Sequence, residues 1–212
     1  MAQSTTLAAP PPAEEKAAKR PPGRPRSEQA RRAILRSTLR LLRKSSYPAL
    51  SIEAVAAGAN VGKATVYRWW SSKAALVADA FSSITVDELH FPDTGSVRAD
   101  LSMQMKQLVR IFRSSRGRVV AAILGGGLFD AELIDAFRER FMLPRRREAY
   151  GTLRRGIERG ELPAELDRDL MLDSLYGPIY MRFLLRHDEL SELFVDELVE
   201  QVMRGVAGNG VR

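Results

Sequence analysis

The sequence predicts an all-α protein, and the placement of its apolar residues is the main reason. Apolar side chains recur three and four residues apart along most of the chain, which is the spacing of one buried helix face. No segment alternates apolar and polar residues convincingly enough to predict a strand. Residues with capping side chains precede several of the apolar repeats: Ser51, Ser72, Asp130, Asp167 and Ser191. We therefore expect about nine helices.

The composition limits the classes of protein that are possible. The chain has 212 residues, of which 45% are hydrophobic, enough to bury a sizeable core. No apolar run approaches the ~18–20 residues of a membrane span, and the N-terminus lacks the apolar segment of a secretion signal. The chain has no cysteine, which excludes disulfides, thiolate metal sites and cysteine nucleophiles. We expect a cytoplasmic protein that does not cross a membrane.

The net charge of +7 is unevenly distributed. Residues 1–80 contain 14 Lys and Arg against 5 Asp and Glu, whereas residues 81–212 contain 19 against 21. The basic excess therefore belongs entirely to the N-terminal part. Such an asymmetry predicts a polyanionic partner for that part, such as nucleic acid.

Residues 1–26 are predicted to be a disordered basic arm. They are rich in Ala and Pro and have few large apolar residues, so they bury too little surface to offset the entropy of ordering. Arg24 and Arg26 flank Pro25 at the end of the arm, and an extended segment of this kind can reach a DNA minor groove. An inert basic linker is the alternative interpretation.

Residues 27–86 are predicted to form the first domain. Its first helix should begin near Ser27 and end before Tyr47-Pro48, because the residue before a proline avoids the helical backbone. The segment 51–70 then predicts two short helices joined by a tight turn. Asn60 tolerates the left-handed backbone that such a turn requires, and Gly62 can cap the second helix.

The second helix of this pair, from Lys63 to Trp70, has an outward face that suits DNA. Val66 and Trp70 should point inward, and there is no acidic residue between positions 54 and 78. Two such helices form a helix-turn-helix, whose second helix enters a major groove by its N-terminal residues. An ordinary helical hairpin inside a core is the alternative. The fourth helix should follow Ser72 and join this unit to the rest of the chain.

The run VAAGANVGKATVYRWWSSKAAL (residues 55–76) holds some dozen positions at fixed spacing. In these positions, residues 28–84 resemble the DNA-binding domain of the TetR family of bacterial transcriptional regulators. The sequence departs from the family pattern at Asn60, Gly62 and Ala74, where Gly, Ser and Glu are usual. The resemblance implies a homodimer on double-stranded DNA, with a C-terminal domain that binds a small-molecule effector.

The expected DNA contacts divide into two kinds. Side chains that face base edges read the sequence, and side chains that hold phosphates fix the register. We expect base contacts from Lys63, Ala64, Thr65 and Arg68. We expect phosphate contacts from Tyr67, Lys73, Trp69 and Ser51, with Arg24 and Arg26 in the minor groove. A lysine in the first turn of a helix opposes the helix dipole, and a phosphate bound there would explain Lys73.

Residues 97–207 are predicted to form a helical ligand-binding and dimerisation domain after a loop at 90–96. An apolar segment at 119–124 should stop at the triple glycine 125–127, and Pro144 should kink a helix or start one. The effector pocket is expected among flexible and aromatic side chains, which also suit a plain core. These are Met103, Met105, Phe112, Phe129, Phe137, Met142 and Tyr176.

The helix near 168–186 is apolar almost all round, and the last helix is amphipathic. A second apolar face needs a second surface, so we expect a homodimer interface through these two helices. A helix buried within one chain is the alternative. The predicted interface residues are Leu172, Leu175, Ile179, Phe183, Phe194, Leu198 and Val202.

The sequence gives no sign of catalytic or metal chemistry. His90 and His187 are the only histidines and have no clustered acidic pair, so we expect no metal site and no cofactor. No nucleophile elbow appears, and an enzyme is disfavoured. The leading hypothesis is a repressor that a small-molecule inducer releases from a palindromic operator. The alternative is a nucleoid-associated, architectural DNA-binding protein without an inducer.

Overall fold

A computed structural model describes residues 27–85 and 88–208 and confirms the all-α prediction. The described residues form ten α-helices and no strand. A π-helical turn at Arg138–Met142 joins α7 to α8 without a break, so these helices make up nine continuous rods. The ten helices are α1 (Glu28–Leu42), α2 (Ile52–Gly58), α3 (Lys63–Trp69), α4 (Lys73–Ser82), α5 (Val97–Arg113), α6 (Gly117–Gly127), α7 (Ala131–Phe137), α8 (Leu143–Glu158), α9 (Arg168–Leu185) and α10 (Glu192–Gly208).

The predicted basic arm, with Arg24 and Arg26, lies outside the described residues. The predicted end of the first domain at residue 86 does so as well. It falls in the connection between α4 and α5, where residues 86 and 87 are not described.

The helix-turn-helix prediction at 51–70 is confirmed by α2 and α3. Ser51 caps α2 by accepting a hydrogen bond from the backbone N–H of Ala54 at 3.1 Å. Asn60 adopts a positive φ of 54° in the turn, the conformation that its sequence position predicts. Gly62 occupies the N-cap of α3 without a side-chain cap. Helix α1 packs beneath the pair through buried residues such as Ile34 and Leu42.

Helix α4 connects the N-terminal helices to the remainder of the molecule. Almost every side chain of α4 is buried, because α1 covers one side and α6, α7 and the π-turn cover the other. The Phe81 ring meets the rings of Phe137 and Phe141 at centroid distances of 5.8 and 4.8 Å. The buried apolar residues form one continuous cluster on both sides of α4. Helix α4 is therefore packed against both halves of the molecule.

The expectation that the triple glycine stops the sixth helix is wrong. Helix α6 runs through to Gly127, although glycine lowers helix stability. The reason is a close approach: a Cβ on Gly126 would lie 3.0 Å from side-chain atoms of Leu133 and Tyr47. The glycine therefore lets α6 approach α7 and the α1–α2 connection closely.

The predicted dimer residues of α9 point the wrong way. Leu172, Leu175 and Ile179 are buried within the protomer, so they are not available to a partner. Phe183 packs on the Phe112 ring at 4.3 Å, and Phe194 lies under the Arg182 guanidinium at 3.6 Å. Leu198 and Val202 are half-buried against the core. A helix that is apolar all round does not show from sequence which face packs inward.

The exposed apolar face of α9 is a different stripe. The α9 residues recur at helical spacing along its outer side, and α10 carries one further exposed leucine near its start. Each of these side chains is at least half exposed: Leu170, Met181, Leu184, Leu185 and Leu193. We call these five residues the outer stripe.

Candidate nucleic-acid interface and its link to the helical domain

Helix α3 turns its polar side outward. Val66 and Trp70 are buried beneath it, as predicted from their spacing. Thr65 is half-buried, and the remaining predicted contact residues of α3 before Trp69 are exposed: Lys63, Ala64, Tyr67 and Arg68. Arg68 forms no hydrogen bond or ion pair with any described residue. Its guanidinium is therefore available to base edges or phosphates.

Lys63 has a partner that the sequence did not reveal. Its ammonium pairs with Glu53 Oε1 of α2 at 2.5 Å, with both side chains exposed. The hydrogen bond lowers the pKa of Glu53 below its ordinary value and raises the pKa of Lys63. Glu53 precedes the acid-free stretch that was noted in the sequence, and only the turn between the helices brings it to Lys63. A DNA acceptor at Lys63 would have to compete with this carboxylate for the lysine.

Three predicted phosphate ligands are already engaged within the protomer. Lys73 Nζ lies 4.2 Å above the Tyr47 ring and donates to the Tyr47 carbonyl at 3.2 Å. An ammonium has three donors, so two N–H groups remain. Ser51 accepts in its cap and keeps its own hydroxyl proton. Trp69 is half-buried, with the Arg31 guanidinium 5.8 Å from its ring.

A carboxylate on α4 ties the end of α3 to the π-turn. Asp79 Oδ2 accepts from Trp70 Nε1 at 2.8 Å, and Asp79 Oδ1 accepts from Arg140 at 2.7 Å. Ser82 adds a hydrogen bond to the Arg140 carbonyl at 3.2 Å. Arg31 of α1 lies 3.9 Å from the same carboxylate. We call Trp70, Asp79 and Arg140 the latch. Sequence analysis missed it, and its only local signal is a lone acid in an otherwise apolar helix.

A cavity of about 70 Å³ lies beside the latch. Phe141 and Met142, the residues after Arg140 in the π-turn, form part of its wall. Residues from the α4–α5 connection and from α5, α8 and α9 complete it. The lining residues are Leu89, Phe91, Gln104, Leu108, Phe141, Met142, Arg145, Arg146, Ala149, Leu172, Tyr176 and Tyr180.

Only part of the predicted pocket lies at this cavity. Met142 and Tyr176 line it. Met105, Phe112 and Phe137 are buried in the core elsewhere, as the plain-core alternative anticipated. Phe129 is 94% exposed on the α6–α7 connection, and Met103 is 48% exposed on α5. Residue type alone did not distinguish these locations.

Both arginines of the cavity wall are neutralised by neighbours. Arg146 pairs with Asp169 at 2.6 Å and with Asp173 at 2.7 Å, which links α8 to α9. Arg145 pairs with Glu148 at 2.8 Å and donates to the Leu89 carbonyl. Burial alone would lower the pKa of Arg146, but its hydrogen bonds, chiefly with Tyr150 and Asp173, raise it. The wall therefore offers apolar surface with compensated charge.

The described residues contain no cluster of three or more potential metal ligands. Within the same residues, no helix combines the length and the apolar character that a membrane crossing requires.

Comparisons with known proteins give matches to both halves of the chain. Residues 34–80 match the family model described as bacterial regulatory proteins, tetR family, and residues 91–202 match the tetracyclin repressor-like, C-terminal domain. The chain is 40% identical over 184 residues to the uncharacterized HTH-type transcriptional regulator YdeS of Bacillus subtilis, covering 87% of this chain and 93% of that protein.

Two further relatives extend this result. The DNA-binding transcriptional repressor TetR of Mycobacteroides abscessus is 30% identical over 190 residues, covering 88% of this chain and 98% of the relative. The crystal structure of the TetR family transcription regulator SCO0332 superposes with a TM-score of 0.72 at 34% identity, covering 84% and 98% of the two chains.

Proposed function

Because the chain belongs to the TetR family of bacterial transcriptional regulators, which bind DNA and are not enzymes, we propose that it is a repressor controlled by a small molecule. A homodimer would hold a palindromic operator in the cytoplasm, and a ligand in the cavity would release it. The observation that carries the proposal is the latch, which joins the end of α3 to a wall of the cavity. A relative with 30% identity carries the name repressor.

The exposed face of α3 supports sequence-specific binding. Arg68 and Lys63 carry donors that suit the guanine acceptors, and Ala64 and the Thr65 methyl suit a thymine methyl. Tyr67 and Lys73 lie at the flanks, where phosphate contacts would fix the register. On an isologous dimer, two such helices meet successive major grooves about 34 Å apart, so the operator is an imperfect palindrome.

The outer stripe supports the homodimer. Exposed large apolar side chains grouped on one surface mark an interaction site, and closed twofold dimers are the commonest assemblies. The stripe replaces the buried α9 residues that the sequence suggested. We expect Met181→Glu to convert the dimer to a monomer in sedimentation velocity. Met103→Glu is the matched control, because Met103 is 48% exposed on α5 against 56% for Met181 on α9.

The latch gives a route from ligand to DNA. A ligand larger than the cavity displaces Phe141 or Met142, and the π-turn that carries them also carries Arg140. Movement of Arg140 acts on Asp79, which holds the Trp70 indole at the C-terminus of α3. The ligand must bind the released arrangement more tightly, typically by about 1–3 kcal/mol. An architectural DNA-binding protein has no need of this connection.

Selection of binding sites from a random duplex pool at near-physiological salt tests the proposal. We expect an enriched pseudo-palindrome that Arg68→Ala no longer enriches. Arg154→Ala removes an exposed arginine of α8 and serves as the control. Retained binding without any enriched sequence would contradict the repressor and favour the architectural protein. A screen for compounds that release the selected operator then tests the inducer.

A further inference from the structure

The cavity contains hydrogen-bond donors that no described residue satisfies. Gln104 is 2% exposed, and its Oε1 accepts from the Tyr176 hydroxyl at 2.5 Å. The amide nitrogen of Gln104 donates to no described residue. Tyr180, one helical turn after Tyr176 on the same face of α9, forms no hydrogen bond within the described residues. Both groups line the cavity, so a bound ligand is their natural partner.

These groups act as donors at neutral pH. Burial raises the pKa of Tyr180 to about 12, so its hydroxyl keeps the proton. The Tyr176 hydroxyl uses the acceptor atom of Gln104, which leaves the N–H₂ group of Gln104 for the ligand. A ligand that satisfies both residues therefore presents an acceptor oxygen to them.

The charge balance of the wall excludes an ionised ligand. Arg146 is held by two carboxylates of α9, and Arg145 by Glu148 and a backbone carbonyl. An anion or a cation that entered would lose its hydration without gaining, among the described residues of the wall, an unpaired group of opposite charge. A neutral molecule has neither cost.

The shape of the wall favours an aromatic ring. Phe91, Phe141, Tyr176 and Tyr180 contribute four aromatic side chains, and leucines fill the space between them. Aromatic rings pack on one another at offset or edge angles with a gain beyond apolar burial. The volume of about 70 Å³ exceeds the ~10–15 Å³ that one water needs, yet it suits only a small molecule before the wall moves.

We propose that the cavity binds a neutral aromatic molecule with a carbonyl-type oxygen, which accepts hydrogen bonds from Gln104 and Tyr180. This inference names the ligand class for the proposed function. It rests on that function only in one respect, namely that ligand binding releases DNA. Ligand binding itself is measured without DNA.

Titration calorimetry of the purified full chain with three matched probes provides the test. Acetophenone carries the neutral carbonyl, ethylbenzene lacks the oxygen, and benzoate carries a charge. We expect acetophenone to bind about tenfold more tightly than either of the others. Equal affinity for ethylbenzene would overturn the role of the donors. Tighter binding of benzoate, or no binding of any probe to the folded protein, would overturn the ligand class.

Two variants locate the site. Gln104→Leu and Tyr180→Phe should each lower the affinity for acetophenone several-fold and leave ethylbenzene unchanged. Gln29→Leu, an exposed position on α1, is the control and should change nothing. Unchanged acetophenone binding in both cavity variants would overturn the assignment.

A separate titration of the operator complex distinguishes the two proposals. One outcome is that acetophenone binds as expected and yet leaves the operator bound when the protein is saturated with the probe. That result would support the ligand class and show that this probe does not release DNA. If no probe binds while the operator is recognised specifically, the ligand class fails and the DNA-binding function stands.

Discussion

The outward face of α3, which carries Lys63 and Arg68 and is the proposed DNA-binding face, differs from the cavity in how its basic residues are paired. On this face, Arg68 has no partner among the described residues, and the one carboxylate that pairs with Lys63 there, Glu53, is exposed. At the cavity, Arg145 and Arg146 are both neutralised by carboxylates of the same chain. Open cations bind a polyanion with strong dependence on salt, whereas neutralised cations leave apolar packing and hydrogen bonds to select the ligand.

Within the described part of the chain, the same residue type is therefore unpaired in one region and paired with carboxylates in the other. A count of Arg and Lys located the basic half of the chain but gave no information on pairing. The latch lies between the two regions and also uses an arginine, Arg140, whose carboxylate partner belongs to α4. Substitutions at these arginines or at their carboxylate partners therefore test each region separately.

Loss of Arg68, the arginine of α3 that pairs with no described residue, should have the largest effect on operator affinity. Arg68→Ala removes a potential bidentate base contact, which is worth about 1–3 kcal/mol, so operator affinity should fall by roughly 5- to 150-fold. Fluorescence anisotropy with a labelled operator measures it. Arg154→Ala controls for loss of a surface charge and should bind like the wild type. Equal affinities for the two variants would mean that α3 does not read the operator.

Removal of the carboxylates that pair with Arg146 should allow the cavity to bind an anion. Asp169→Asn combined with Asp173→Asn leaves Arg146 without its carboxylates. Affinity for benzoate should then rise about tenfold, because the anion gains an unpaired guanidinium. Calorimetry measures the change. Glu158→Gln, which removes a carboxylate paired with Arg154 away from the cavity, should leave benzoate binding unchanged. No gain in the double variant would show that the wall excludes anions for another reason.

Removal of the ion pair between Arg140 and Asp79 should weaken the coupling between ligand binding at the cavity and DNA binding by α3. Arg140→Gln removes the ion pair with Asp79 and leaves the hydrogen bond between Asp79 and Trp70. The loss of operator affinity that a releasing ligand causes should shrink about fivefold, toward the low end of typical coupling energies. Arg138→Gln lies in the same π-turn and removes a surface pair with Asp135, so its response should match the wild type. A reduction of equal size in both variants would assign the effect to the turn in general.

Removal of the exposed partner of Lys63 should have the smallest effect. Glu53→Gln frees the lysine and removes a negative charge from the DNA-binding face, so operator affinity should rise about two- to threefold. Anisotropy at low salt measures it, and Glu132→Gln, an exposed acid of α7, is the control. A loss of affinity would contradict the competition between Glu53 and DNA.

The same pair predicts a weak dependence of stability on pH. Since the folded pKa of Glu53 is lowered, its contribution is present above the ordinary pKa of glutamate and disappears as the pH falls through the folded value. Thermal melts of the wild type and Glu53→Gln should therefore converge at acidic pH. A difference that persists there would argue against the ion pair.

The features that were predicted correctly from the sequence depend on residues that lie close together along the chain. The turn at Asn60, the cap at Ser51 and the inward direction of Val66 follow from residues within one or two turns. Helix existence follows from periodicity in the same way. The outward face of α3 was accessible to sequence reasoning because it lies on one short helix with a fixed register.

What the sequence missed depends on contacts between helices. Glu53 meets Lys63, Asp79 meets Arg140, and Arg146 meets Asp173 only after the helices pack. The inward face of α9 could not be predicted because its apolar residues surround the helix. The predicted pocket residues lie partly in the core and partly on the surface, because Met and Phe fill cores and cavities alike. Pairing and direction are properties of the packed structure.

The most direct test of sequence-specific DNA recognition is the ratio of affinities for the selected operator and a scrambled duplex of equal length. It is measured by anisotropy with the wild-type protein at one near-physiological salt concentration. For a sequence-specific regulator, we expect the affinity for the operator to exceed that for the scrambled duplex by at least about 10³-fold. A ratio close to unity would show that the basic face binds DNA without reading it, and would contradict the proposed repressor.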